Sequence, residues 1–269
     1  MDFTGADVAI PIKRRLSVAL WRPLRLGHNI QDKTQFCKAC LPVGGVEKCP
    51  NFGMIIPMNI AWYGHRCVRI ETKEGSVLLD PFDPKETGLR GPNIKDTLVL
   101  ISEAAPSPEV LGRINDDAFV IRGAGEYERH GIAVRGIQAA QDSQQGRELG
   151  LCTMYCVIAE EITVCHLGAL GQDKLTSEQL EAIGDPDILI LPVGGQSALD
   201  VKVAAEIATQ IEPKIIIPVQ YAVPGAKYPA GPLDRFVKEI GLTPQKNETF
   251  RVVKKLLPVD QTQLVVLSS

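Results

Sequence analysis

The sequence predicts an α+β fold in which two β-sheets pack face to face, with helices on their outer sides. Two patterns after residue 57 support this prediction. The first half consists of short apolar runs of strand length that are separated by turn residues, which is typical of antiparallel hairpins. The second half alternates segments of helical spacing with fully apolar runs, which is typical of β–α units with buried strands. Hairpins joined to β–α units favour two packed sheets covered by helices.

Short turns divide the first half into strands. Gly64 and His65 separate the first predicted strand from the second, and the turn at 73–75 separates the second from the third. The predicted strands of this half are residues 58–63, 67–71, 76–79, 97–101, 118–121, 132–135, 153–158 and 162–165. The segment 107–114 has the spacing of a short helix.

Three helices are predicted in the second half. The helix at 175–183 starts favourably at Thr176-Ser177-Glu178, and the helix at 233–240 ends at Gly241. A third helix is expected at 198–211. The predicted strands of this half are residues 188–191, 214–219, 250–253 and 263–267.

Residues 1–57 lack this periodic pattern of apolar residues and are predicted to form a separate, irregular N-terminal extension. They hold eight Lys and Arg against four Asp and Glu, and five prolines interrupt them. The boundary is placed at Pro57, so the folded domain is expected over 58–269. The basic stretch 12–26 could form an amphipathic helix that touches a membrane or RNA, but Pro23 interrupts it, and a solvated extension is the preferred interpretation.

The extension also contains a cluster of candidate zinc ligands. Cys37 and Cys40 have the spacing of a zinc-binding pair, and Cys49 and His28 could complete a Cys₃His site. Because a second paired motif is absent, unligated thiols are the preferred alternative. Structural zinc in the extension therefore stays open.

Composition argues against a nucleic-acid-binding protein and against a membrane-spanning one. The chain has 269 residues, a formal charge of -3 and a pI near 5.9, which gives no reason to expect nucleic acid as a partner. No apolar run reaches the ~20 residues that a membrane-spanning helix needs. The seven cysteines are odd in number, and four lie in strand-like runs, so free thiols in a reducing cytoplasm are expected.

A series of motifs in a fixed order gives a family resemblance. The motifs are residues 62–67, 78–82, 123–128, 132–137, 166–168, 191–195, 211–218 and 221–225. Together they resemble the small bacterial metallo-β-lactamase-fold hydrolases, in the branch related to L-ascorbate-6-phosphate lactonase, and they cover 58–269. The resemblance implies a four-layer αββα sandwich whose cleft holds two zinc ions. In such proteins a metal-bound hydroxide attacks an ester, lactone, amide or phosphodiester.

The sequence departs from the family at the metal ligands. In the family these come from a His-x-His-x-Asp-His loop, a later His, a bridging Asp and a last His. The residues aligned with these seven positions are Ser102, Ala104, Pro106, Ser107, Gln141, Ala169 and Gln220. Ala and Pro have no donor atom, and Ser and Gln are poor zinc ligands, so no metal is expected in the cleft. The retained neighbours expected around it are His65, Asp142, His166 and Tyr221, while the resemblance gives Asp80 the role of fixing the loop.

The preferred functional hypothesis is a non-catalytic binding or scaffold module, with a small molecule or protein as partner at the former cleft and no catalytic residue. The first alternative is a hydrolase of an ester, lactone or phosphodiester that uses an unrecognised metal or a metal-free site. A metal-free site could pair Ser102 or Ser107 with His65 or His166, with Glu103 as the acid. The second alternative gives the main role to the N-terminal extension as a zinc-binding or nucleic-acid-binding module, with the sandwich as its structural support.

Overall fold

The computed structural model describes residues 57–195 and 199–269, which form two sheets with helices. The expected extension, with His28, Cys37, Cys40 and Cys49, lies outside the described residues except for Pro57. The strands, numbered β1 to β14, are Met58–Trp62, Val68–Glu71, Ser76–Leu79, Leu98–Leu100, Phe119–Ile121, Gly125–Arg129, Ile132–Ala140, Leu151–Ala159, Ile162–His166, Ile188–Pro192, Ile215–Val219, Pro244–Asn247, Phe250–Val252 and Gln263–Leu267. The helices, α1 to α5, are Pro84–Thr87, Pro108–Leu111, Ser177–Ile183, Val201–Ile211 and Leu233–Ile240.

The first sheet has six strands in the order β13-β1-β2-β3-β4-β5. Successive side chains of β3 and β4 point to opposite faces. Val77 and Leu98 therefore belong to the main core between the sheets, whereas Leu78 and Val99 belong to a smaller apolar cluster on the other face. Leu111 of α2 packs against that smaller cluster, so this sheet is covered on its outer side.

The second sheet has eight strands in the order β12-β14-β11-β10-β9-β8-β7-β6. Its central strands β10 and β11 are buried along their whole length and run parallel to each other. Helix α3 contacts β7, and helix α4 contacts β10, as expected for a parallel strand that is apolar on both faces. Two sheets with covering helices confirm the predicted αββα fold class.

Several predicted elements differ from the structure, mostly at the edges of the sheets. The edge strands β6 and β12 were not predicted, because their mostly exposed residues do not alternate between apolar and polar. The predicted helix at 107–114 is wrong in extent, since α2 is a single turn that ends at Gly112. Strands β7 and β8 are each nine residues long, well beyond the predicted four and six.

The candidate site lies where several parallel strands end. Strands β3 and β4 are parallel, and β7, β9, β10 and β11 run in one direction in the other sheet. The loops that follow them meet: Asp80 N donates to Leu100 O, Thr153 N to Ser102 O, and Gly171 N to Ala140 O. The carboxyl ends of parallel strands are the usual place for a ligand site.

Among the described residues, no helix is long and apolar enough to cross a membrane.

Candidate functional site

Two adjoining cavities lie at this edge of the sandwich. The larger, of about 460 Å³, is lined by Gln141, Ala169 and Gln220 among others. The smaller, of about 170 Å³, is lined by Pro106 and Ser107. Four residues line both cavities, namely His65, Arg66, Glu103 and Tyr228. Five of the seven positions singled out in the sequence therefore line one or the other of two cavities that share these four residues.

The other two of the seven positions do not line these cavities. Ser102 is buried, and its side chain points to Asp80 instead. Ala104 is exposed, its carbonyl accepts from Arg122 Nη2 at 3.3 Å, and it lines neither cavity. Glu103 forms a β-bridge to Cys152, and the two residues that follow it are exposed.

Asp80 joins the two sheets through Ser102. Asp80 lies at the end of β3 in the left-handed region, with φ of 45°. Its carboxylate accepts from Ser102 N and from Ser102 Oγ, each at 2.7 Å. Ser102 Oγ in turn accepts from Ala169 N at 3.1 Å, in the loop after β9 of the other sheet. The role that the resemblance gives Asp80, an acceptor that fixes the loop after β4, agrees with these bonds.

Arg66 is the one cationic side chain that lines either cavity among the described residues. It is only 6% exposed, and its Nη2 donates to Glu103 Oε1 while its Nε lies 3.7 Å from Asp80 Oδ2. Burial lowers the pKa of Arg66, and Asp80 opposes that shift. A guanidinium stays protonated in proteins, so the site carries a buried positive charge. No role was assigned to Arg66 from the sequence, although a charged residue between His65 and the buried Cys67 was a usable signal.

The two histidines near the cleft are both neutral. Burial, with a contribution from Arg66, lowers the pKa of His65 to about 2, and burial also lowers the pKa of His166. Gly168 N donates to His166 Nδ1 at 2.9 Å, so His166 Nε2 carries the proton and donates to Arg66 O at 2.9 Å. Both nitrogens of His166 are therefore occupied, and it cannot activate Ser102, which is one of the pairings that the metal-free alternative left open.

The remaining expected neighbours of the cleft have structural contacts. Asp142 lines the larger cavity, and its carboxylate accepts from four backbone N–H groups between residues 144 and 149. These bonds, the one from Leu149 first, lower the pKa of Asp142. Tyr221 is buried, with its ring 4.6 Å from that of Trp62, and its hydroxyl donates to Leu267 O. Tyr221 and His166 line neither cavity.

Comparison with known families matches residues 59–220 to the Beta-lactamase superfamily domain. The chain belongs to the metallo-β-lactamase superfamily. A UPF0173 protein of Pyrococcus abyssi is 29% identical over 224 residues, which cover 76% of this chain and 98% of that protein. A UPF0173 metal-dependent hydrolase of Thermoplasma acidophilum is 29% identical over 188 residues, covering 61% of this chain and 83% of the relative. A crystal structure of a candidate Zn-dependent hydrolase of the same superfamily, from Thermotoga maritima, is 29% identical with a TM-score of 0.64, covering 78% of this chain and 98% of that one.

The described residues of the cleft offer few donors for a dinuclear zinc site. Within 57–195 and 199–269, no group of three or more His, Cys, Asp or Glu side chains could hold a metal ion. Three carboxylates of the cleft are already engaged: Asp80 binds Ser102, Asp142 binds backbone N–H groups, and Glu103 binds Arg66. A zinc site needs about four N, S or O ligands directed at one point, and the described side chains do not supply them.

Proposed function

We propose that this metallo-β-lactamase-superfamily protein has lost the dinuclear zinc site and acts as a non-catalytic binding module through its former cleft. The observation that supports this most strongly is the donor set of the two cavities. The positions aligned with metal ligands hold Gln141, Ala169 and Gln220 in one cavity and Pro106 and Ser107 in the other. None of these offers the imidazole or carboxylate that zinc prefers.

The size and lining of the larger cavity favour a small molecule as the partner. A cavity of about 460 Å³ lies within the range of about 300–1,000 Å³ that is usual for small ligands. Its walls combine the buried Arg66 with the partly exposed Glu103, so polar groups are available to orient a ligand. The alternative partner is a protein that inserts a segment into the same cleft.

Two further parts of the proposal concern ancestry and compartment. The order of the motifs supports descent from the branch related to L-ascorbate-6-phosphate lactonase. Cys67, Cys152, Cys156 and Cys165 are buried and free, which supports a reducing, cytoplasmic environment.

Metal binding by the full-length chain tests the central claim. The sample carries Cys37→Ser, Cys40→Ser and Cys49→Ser, because these thiols could bind zinc outside the cleft. We expect less than about 0.1 zinc per chain and no rise in melting temperature (Tm) with zinc. A metal that binds only the folded state at a hundred times its Kd adds about 2.7 kcal/mol of stability. One zinc per chain, or zinc-dependent ester or phosphodiester hydrolysis, would contradict the proposal.

A hydrolase is the second candidate, because relatives are named metal-dependent hydrolases. A metal-free version would use Ser107, whose Oγ is buried without a hydrogen-bond partner among the described residues, and His65 in the same cavity. A general base works best with a pKa near the operating pH, and the lowered pKa of His65 makes it a weak one. Hydrolysis of p-nitrophenyl esters or bis-p-nitrophenyl phosphate that disappears with Ser107→Ala would favour this candidate.

A further inference from the structure

The position of Arg66 is unusual for a buried arginine, because it lies between the two groups of aligned ligand positions. It lines the cavity that contains Gln141, Ala169 and Gln220, and also the cavity that contains Pro106 and Ser107. Its backbone is fixed as well, since Arg66 O accepts from His166 Nε2 at 2.9 Å. The guanidinium is therefore held in the middle of the cleft.

The charges around Arg66 show what it does there. Asp80 is 6% exposed and Glu103 is partly exposed, and both are carboxylates that face the guanidinium. A buried carboxylate is costly unless a positive charge or several donors compensate it. In a dinuclear site the metal ions supply positive charge to the cleft. Arg66 supplies one such charge from the chain itself.

We propose that Arg66 is an internal replacement for the metal charge, which neutralises Asp80 and Glu103 and excludes divalent cations from the cleft. This inference rests on the proposed function, because it explains how the cleft keeps its structure without zinc. It also predicts that restoring ligands alone does not restore metal binding. A divalent ion in the larger cavity would lie beside a fixed guanidinium and would be repelled by it.

The test introduces three ligands into the larger cavity of the full-length chain. The substitutions are Gln141→His, Ala169→Asp and Gln220→His, in the background that lacks Cys37, Cys40 and Cys49. This three-ligand variant is compared with the same protein that also carries Arg66→Gln, which removes the charge but keeps a polar side chain. Co²⁺ binding is followed by its visible absorption, and zinc affinity by competition with a chromophoric chelator.

A second arginine provides the matched control. Arg69 lies on β2 and binds Asp96 through Nε at 2.8 Å, and it lines neither cavity. We expect Arg66→Gln to tighten zinc binding of the three-ligand variant by at least about 100-fold, since like charges a few ångströms apart repel strongly at a partly buried site. Arg69→Gln removes the same charge and is expected to change the affinity less than about threefold, because Arg69 lines neither cavity and its charge is already paired with Asp96.

The outcomes separate this inference from the proposed function. Equal zinc affinity with and without Arg66, or no metal binding after Arg66→Gln, would overturn the inference alone. Tight zinc binding by the chain with its own cleft residues would overturn the proposed function first.

A second measurement needs no new ligands. Arg66→Gln in the otherwise unchanged chain is expected to lower the Tm by about 10 °C, because it leaves the buried Asp80 and the partly exposed Glu103 without their cation. The loss should be smaller in a Glu103→Gln background, where only Asp80 remains to be neutralised. An Arg66→Gln variant as stable as the parent protein would also overturn the inference.

Discussion

Asp80→Ala is expected to be among the most destabilising single substitutions in the cleft. The Asp80 carboxylate accepts two hydrogen bonds of 2.7 Å from Ser102 and lies 3.7 Å from Arg66 Nε. Removing one partner of a buried charge pair costs about 3–5 kcal/mol, and Glu103 still compensates part of the Arg66 charge, so we expect a loss of about 4 kcal/mol in the free energy of unfolding.

Asp80→Asn is the matched control for this prediction. Asn keeps an acceptor for Ser102 N, and it tolerates the left-handed backbone that Asp80 adopts at φ of 45°. Its effect therefore isolates the loss of charge, and we expect a cost of about 2 kcal/mol. Urea unfolding of the full-length chain, followed by far-ultraviolet circular dichroism at constant pH, measures both values. A cost below about 1 kcal/mol for Asp80→Ala, or an equal cost for the two variants, would refute the reasoning.

Two further predictions concern the pH dependence of stability and the crowding caused by a Cβ atom added at a glycine. The folded-state pKa of His65 is about 2, so its stabilising contribution is complete above the unfolded pKa of about 6.5 and is lost as the pH falls toward 2. Between pH 6 and 5 the free energy of unfolding should fall by about 1 kcal/mol more in the parent protein than in His65→Asn. Urea unfolding of both proteins at both pH values measures this difference, and an equal fall in the two proteins would contradict the prediction. Gly168→Ala should cost at least about 2 kcal/mol, since an added Cβ would lie 2.3 Å from Ser102 Cβ. Gly241→Ala, in the left-handed region with φ of 70° and ψ of 14° and with no atom within 4 Å of the added Cβ, should cost only about 1 kcal/mol. Equal costs for the two variants would rule out crowding as the cause.

The interior of the fold was predictable because burial leaves a periodic pattern in the sequence. Ile188–Pro192 and Ile215–Val219 are apolar on both faces, and such runs predict buried parallel strands directly. Edge strands such as Gly125–Arg129 bury little and leave no such pattern. Their existence depends on a neighbouring strand that pairs with them, which a single segment does not reveal.

The candidate site was predictable only where the family resemblance could be aligned. It placed Gln141, Ala169 and Gln220 together, although they are far apart in sequence, and the structure brings all three to one cavity. It could not show that Ala104 is exposed and lines neither cavity, because alignment by spacing does not reveal the local course of the chain after Glu103. It gave no role to Arg66, since the partner Glu103 lies 37 residues away and the pair depends on packing.

The bonds that link Asp80, Ser102 and Ala169 have a consequence for how such a protein can change over generations. Asp80 and Ser102 contribute side chains, whereas Ala169 contributes only its backbone N–H, which any residue except proline would provide. The rim of the cleft is therefore held by contacts that survive a change of side chain at position 169. Substitution there alters what the cleft can bind while the surrounding loops stay in place. Over generations, the residue at position 169 can therefore change while each successive variant still folds.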